Sequence, residues 1–321
     1  MSFLAPLTNA LAWLGRQGTL AIAAVVFIGI VVPPVGRLLK PFVTEAIFVL
    51  LVIAFVRVDL VALRHHLGRP MVVIAITAWT MLIVPAAIGA GCLLFGLAAR
   101  SEDLLLALML QAIAPPMMAA PAFAALMGLD ATLVVIAMVA CAALSPFTAM
   151  LFAYLFIGPA LTLSPLVLGA KLLALIAGSV LAAMVIRRLA GAERIARCKE
   201  ELDGFNIIMV FVFVAALMES VAPKFAAQPW LTLGLLALAF AVSYVVLALT
   251  ALIFVKAGGA RALVLGLMAS QRNMGLMLAA TGGALPDFVW LYFALSQFPI
   301  YLAPQLLKPL ARRLTGRPRP A

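Results

Sequence analysis

Residues 108–128 read LMLQAIAPPMMAAPAFAALMG, and residues 263–283 read LVLGLMASQRNMGLMLAATGG. Both are apolar enough to sit in lipid, and neither suits one continuous helix. In the first, Pro115, Pro116 and Pro121 each lack an N–H donor and disfavour helical backbone in the residue before. The helix is predicted to break between about Ala114 and Pro121. In the second, Ser270, Gln271, Arg272 and Asn273 place polar side chains on every face, and Gly275 follows. That stretch is predicted to be unwound or to line a cavity. Water cannot satisfy irregular backbone at membrane depth, so both segments must face protein or a wet cavity.

The rest of the chain sets these two stretches in a polytopic membrane protein. Of 321 residues, 67% are hydrophobic and only 10% charged, where a soluble domain runs near half apolar and a quarter charged. Counting stretches of about 20 apolar residues gives ten spans: Gly18–Gly36, Pro41–Asp59, Pro70–Leu97, Glu102–Leu129, Ala131–Ile157, Pro165–Arg187, Gly204–Val221, Pro229–Val255, Ala260–Gly283 and Pro286–Leu307. Leu7–Leu14 is predicted to be a short surface helix, and the N-terminus lacks the pattern of a cleaved signal peptide. With ten spans, sixteen of the 22 Lys and Arg residues fall on the side of the termini. Four, Arg37, Lys40, Arg100 and Lys224, fall on the other, and Lys171 and Arg272 lie inside spans. That bias predicts cytoplasmic termini and an inner or plasma membrane location. It also accounts for the net charge of +11 without nucleic acid. Cys92, Cys141 and Cys198 have neither metal nor disulfide spacing and read as reduced and structural.

The two interrupted spans occupy matching places. Pro121 lies 25 residues before Pro146, and Asn273 lies 26 before Pro299. Five spans precede the Gly158–Ser164 connection and five follow. An odd number per half makes the second half enter from the opposite side. The expected fold is therefore an all-α membrane protein of two inverted five-helix repeats, residues 1–160 and 161–321. A charged cytoplasmic linker lies near 188–203, with the mixed-charge run Glu193–Asp203 inside it. Paired interrupted helices in corresponding positions are the mark of a secondary transporter's midplane site.

At these residues the chain resembles the bile acid:sodium symporter family, from about Gly18 to Leu310. The resemblance rests on the proline-bearing fourth span followed by Gly128–Leu129–Asp130, and on Ser145–Pro146. It rests also on Arg272–Asn273–Met274–Gly275–Leu276 and on Gln297–Phe298–Pro299–Ile300–Tyr301. It implies crossing, unwound fourth and ninth helices and a substrate drawn from bile acids, other organic anions and small carboxylates. It also implies sodium ligands, and here the chain departs from the pattern. Ala120 and Pro121 stand at the family's Ser-Asn pair, and Cys141 and Ala142 replace hydroxyl ligands. In the Glu-x-Gly-x-Gln-Asn pattern ending on Asn273, Met268 stands at the glutamate, Ser270 at the glycine and Arg272 at the glutamine. Thr80 stands near a third-helix glutamine. Sodium needs several oxygen ligands, and of the matched positions only Asn273 keeps the family residue, so sodium coupling is not carried over.

Arg272 remains charged, and a membrane-centre arginine costs about 2.5–3.5 kcal/mol even on the insertion scale. Two readings stay open. Its guanidinium stands in the place of a bound sodium ion and pairs with an anionic substrate, or it caps carbonyls of the unwound segment or a buried acid. Gln111, Pro115, Pro116, Pro121, Ser270, Gln271, Asn273 and Gly275 complete the predicted crossover, with Gln111 one turn before the first break. Gln297 is expected in a helix–helix hydrogen bond, and Lys171 is expected to snorkel. Glu45 and Glu219 are interfacial or carry a coupling proton, and His65–His66 is a solvated loop pair. The expected activity is secondary transport of a small organic anion, without cofactor, coupled to protons, to residual sodium or to nothing. The partners are that anion and membrane lipid, with any homo-oligomer left open. A channel and an intramembrane enzyme are the alternatives. There is no HExxH or GxSxG, and both histidines share one loop, so an enzyme is not expected.

Overall fold

The computed structural model describes residues 5–57 and 70–316, and within it the side chains of residues 5–7, 18–26 and 159 are not described. His65–His66, with Arg64 and Arg69, lies outside the described residues. Those described are helical throughout apart from short turns and a single isolated β-bridge. In order the helices are α1 (Ala5–Val31), α2 (Pro33–Val56, with a 3-10 turn at Lys40–Phe42) and α3 (Pro70–Leu94, with a π turn at Trp79–Ile83). A broken helix follows, α4a (Glu102–Ile113) and α4b (Ala120–Leu126), then α5 (Ala131–Ile157), α6 (Pro165–Ala190), α7 (Lys199–Met218) and α8 (Pro229–Ile253). A second broken helix, α9a (Gly259–Ser270) and α9b (Met274–Thr281), precedes α10 (Asp287–Thr315).

Six of the described helices are long and apolar enough to cross a membrane: α2, α3, α5, α6, α7 together with the short helix Val221–Ala227 that follows it, and α8. The chain is a multi-pass membrane protein. The half-helices fail that criterion for a geometric reason. Twelve residues rise only about 18 Å at 1.5 Å each, against roughly 30 Å of hydrocarbon.

Three boundaries differ from those the sequence suggests. First, α1 is continuous from Ala5, with no separate surface helix, and it ends at Val31. Val32 leaves the helical region (φ −121°, ψ 69°) ahead of Pro33–Pro34, because proline disfavours a helical residue before it and suits the first turn of a helix. Gly36 therefore belongs to the next helix. Second, much of the Glu193–Asp203 run is helical, in Ala192–Arg197 and the first turn of α7. Glu200 and Glu201 sit in that turn, where the helix dipole favours negative charge. Third, α10 runs eight residues past Leu307 to Thr315.

The helices form two compact units. The first contains α1, α2, most of α6, α7 and residues 278–284. The second contains α3, α4a, α4b, α5, most of α8, α9a with the start of α9b, and α10. Apart from residues 278–284, whose counterparts at the end of α4b lie in the second unit, each unit takes mostly the same ordinal helices from both chain halves, so a packing unit here does not coincide with a continuous half.

In the first unit α1 and α7 meet backbone to backbone. A Cβ at Gly204 would overlap the Leu11 carbonyl, and one at Gly15 would overlap the Glu200 carbonyl. Small residues permitting such approach are how helices associate where lipid offers no hydrophobic drive. Charge gathers at the two ends of α7. At one end, Arg16 pairs with Glu200 at 2.8 Å, Arg57 with Asp203 at 2.8 Å, and Arg187 Nη1 donates to the Val56 carbonyl at 2.7 Å. At the other, Glu219 receives Lys40 at 2.7 Å and Arg37 at 3.8 Å. The sixteen residues from Asp203 to Glu219 span about 24 Å of helix, close to a hydrocarbon core.

Candidate functional site

The site lies in the second unit, where the two interruptions meet. α4a ends as Ala114 turns extended (φ −62°, ψ 141°), and α9a ends as Gln271 does the same (φ −86°, ψ 95°). Pro116 and Arg272 then face each other in an antiparallel bridge. Met117 N–H donates to the Gln271 carbonyl at 2.7 Å, and Asn273 N–H donates to the Pro115 carbonyl at 2.8 Å. These bonds flank the facing pair, so Pro116 occupies the position where an absent N–H costs nothing. The two breaks thus satisfy part of each other's backbone, as buried irregular segments must.

The second halves of both broken helices restart and stop in the same way. Pro121 falls in the first turn of α4b, which needs no intrahelical N–H, so it restarts the helix and the break itself covers Ala114 to Ala119. On the other side the Asn273 side chain caps α9b, accepting from Leu276 N–H at 3.1 Å, and Gly275 lies in that helix's first turn. Each half-helix ends in a Schellman turn. Gly128 N–H bonds to Ala125 and Leu129 N–H to Ala124, while Gly282 N–H bonds to Ala279 and Gly283 N–H to Leu278. Gly128 and Gly282 both hold positive φ, 71° and 65°, which glycine adopts without steric cost.

Arg272 is 3% exposed, and no carboxylate lies within 4 Å of it among the described residues. Its Nη1 donates to the Ala114 carbonyl at 2.9 Å and its Nη2 to the Thr80 carbonyl at 3.1 Å. Sequence explains why both acceptors are available. Ala114 is the first residue of the break, where the helix that would have bonded its carbonyl has ended. Thr80 lies in the π turn, where Val84 N–H already reaches back five residues to the Trp79 carbonyl. The next donor in that register would be residue 85, which is proline. A hydrogen bond to a charged group contributes about 1.5–3 kcal/mol, so two of them are of the same order as the insertion cost of a central arginine.

The remaining predicted residues divide. Ser270, Gln271 and Gln111 are buried with Arg272. The Ser270 hydroxyl turns back to the Leu267 carbonyl at 2.9 Å, and Gln111 Oε1 accepts from the Tyr292 hydroxyl. Gln297 bonds its own helix, Nε2 to the Phe293 carbonyl at 3.1 Å, rather than a neighbouring helix as expected. Lys171 and Glu45 are exposed near helix starts, and Glu219 is neutralised by its two cations. Cys92, Cys141 and Cys198 are free thiols. The sequence does not single out Pro85, Tyr292 or Ser243. Pro85 carries a signal, a proline inside an apolar span. Tyr292 and Ser243 sit singly in apolar runs, where nothing in the sequence separates them from packing residues.

A small cavity of about 10 Å³ abuts this constellation, lined by parts of α3, α4a, α8 and α9a together with Arg272. That is room for about one water molecule, far below the roughly 300 Å³ at which organic-ligand sites begin. No family model matches the chain, and no curated protein matches it in sequence.

Proposed function

We propose that the chain is a secondary carrier for a small organic anion, built as two inverted five-helix repeats of the bile acid:sodium symporter type, with both termini cytoplasmic. The observation that carries this reading is the antiparallel bridge between the two breaks with an acid-free arginine at its centre. Equivalent segments of the two chain halves crossing in opposite directions are what an inverted repeat requires. The identical Schellman endings of α4b and α9b and the matching membership of the two units support it further. The separation of Arg16, Arg57 and Arg187 from Arg37 and Lys40 along α7 supports the strand of topology that puts the basic majority on one side.

In this reading the guanidinium of Arg272 is a fixed cation bonded to carbonyls at the crossover, where the resembling family holds sodium, and transport is sodium-independent. Half-helix dipoles reinforce the positive field at a broken midplane helix. The test is uptake of labelled small carboxylates into proteoliposomes, with sodium, potassium or choline outside and with or without a pH gradient. Arg272-dependent uptake indifferent to sodium is expected. A sodium requirement, or a sodium-specific rise in melting temperature in detergent, would show that ion sites persist. At a hundredfold excess over Kd such a ligand stabilises by about 2.7 kcal/mol.

A further inference from the structure

Three segments far apart in sequence bring cations to one end of the second unit. Lys256 lies just past Ile253, where α8, a helix long and apolar enough to cross a membrane, ends. That places it at the membrane surface. Arg261 lies in the first turn of α9a, and Lys308, Arg312 and Arg313 lie in the last two turns of α10. The segments pack together. A Cβ at Gly259 would come 2.9 Å from Leu314 Cδ2, and Ala311 shares one buried apolar cluster with Leu263, against which Phe254 and Ala260 pack. Unlike the cations paired at the ends of α7, none of these five has a carboxylate within 4 Å among the described residues. Arg261 Nη1 reaches the Ala257 carbonyl at 3.4 Å. Asp130, in the same unit, commits its carboxylate to capping α5. Leu306, Leu310 and Leu314 are all exposed. Their four-residue spacing puts them in one row along α10, running among the cations.

We infer that this surface binds an anionic phospholipid, its phosphodiester headgroup among the five cations and an acyl chain along the leucine row. Basic residues at the membrane surface attract anionic headgroups, and a guanidinium fork matches the oxygens of a phosphate. Cations crowded without acids repel one another, and a bound anion relieves that repulsion. The leucines select the kind of anion. A soluble polyanion would satisfy the cations and leave the leucines in water. A zwitterionic lipid would cover the leucines and leave the net charge uncompensated. An anionic lipid does both. The inference does not depend on the carrier reading, since neither the crossover nor a transported substrate enters it.

The experiment titrates the purified full chain in detergent with phosphatidylglycerol or phosphatidylcholine and counts lipid adducts by native mass spectrometry. The first phosphatidylglycerol should bind at least about a hundredfold more tightly than the first phosphatidylcholine. Arg261→Gln with Arg312→Gln should reduce that preference roughly twenty-five-fold, about fivefold for each cation removed. Lys308→Gln with Arg313→Gln should do the same, and decides alone if the first pair fails to fold. Arg194→Gln with Arg197→Gln, which removes two cations from the first unit, should leave the preference unchanged. Equal binding of the two lipids overturns the site, and so does a full preference in both second-unit pairs. An equal loss in the first-unit pair also overturns it, because net charge rather than this surface would then be responsible. Glycerol 3-phosphate, the headgroup chemistry without chains, should not displace the bound lipid at a tenfold excess. Displacement by it would make the ligand a soluble phosphate and overturn the lipid assignment.

Discussion

In the first unit Glu219 meets Lys40 and Arg37 at the end of α7; in the second, Arg272 meets the carbonyls of Ala114 and Thr80 in the middle of a broken helix. Both are charges taken largely out of water, and they are handled in opposite ways. Near a helix end an ion pair can form with one partner still reaching solvent, and Lys40 is 36% exposed. At the centre an opposing carboxylate would itself have to be desolvated, and a buried pair often gains nothing over apolar packing. Backbone carbonyls orphaned by a break and by Pro85 supply the partial negative charge instead. The comparison teaches that the arginine is held without being neutralised. A charge held in that way remains available to a ligand, while Glu219 is already compensated.

The largest expected effect comes from removing the charge that is not compensated. Arg272→Gln should lower uptake by at least a hundredfold in proteoliposomes, with membrane insertion retained. Arg272→Lys should rescue little, because an ammonium offers its donors from one nitrogen and lacks the planar fork that reaches the two carbonyls from Nη1 and Nη2. Normal uptake by the glutamine variant would make the arginine purely a carbonyl cap. Next is a packing variant in the other unit. Gly204→Leu drives a side chain into the Leu11 backbone of α1, and a loss of roughly 3 kcal/mol or more is expected by overpacking, read as failure of the purified protein to survive mild heating.

Glu219→Gln separates the two kinds of charge most directly. It should cost about 1–2 kcal/mol, since one cation keeps solvent access, and leave uptake and its pH dependence unchanged. Uptake that becomes insensitive to a pH gradient would instead make Glu219 the proton carrier. Asn273→Ala should lower stability by about 1 kcal/mol as an N-cap loss, with a modest change in apparent KM; a hundredfold fall in uptake at unchanged stability would place Asn273 on the substrate. Last, Arg197→Ala removes an i,i+4 pair with Glu193 that is 80% and 89% exposed, and should leave melting temperature unmoved.

The two breaks are legible in the sequence from proline and polar chemistry, because both act within a few residues. The fifth span, expected from about Ala131, matches α5, where Asp130 accepts from Leu133 N–H as an N-cap. The end of α1 differs from the expected Gly36 because the apolar run continues past Val32, while the local signal that divides it is Pro33–Pro34. Gln297 was expected to bridge helices because a span amide needs a partner, yet its own Phe293 carbonyl is nearest.

By itself the sequence determined that the chain is helical and membrane-embedded, that two helices break near Ala114 and Gln271, and that one permanent cation sits at the second break. Those follow from hydropathy over about 20 residues and from the local chemistry of proline and polar runs. Which acceptors hold that cation was decided by tertiary structure alone. Thr80 lies 192 residues away in the chain, Ala114 lies 158, and Ser243 reaches the same cavity from a third helix. Such pairings depend on how helices pack, and no local pattern encodes them.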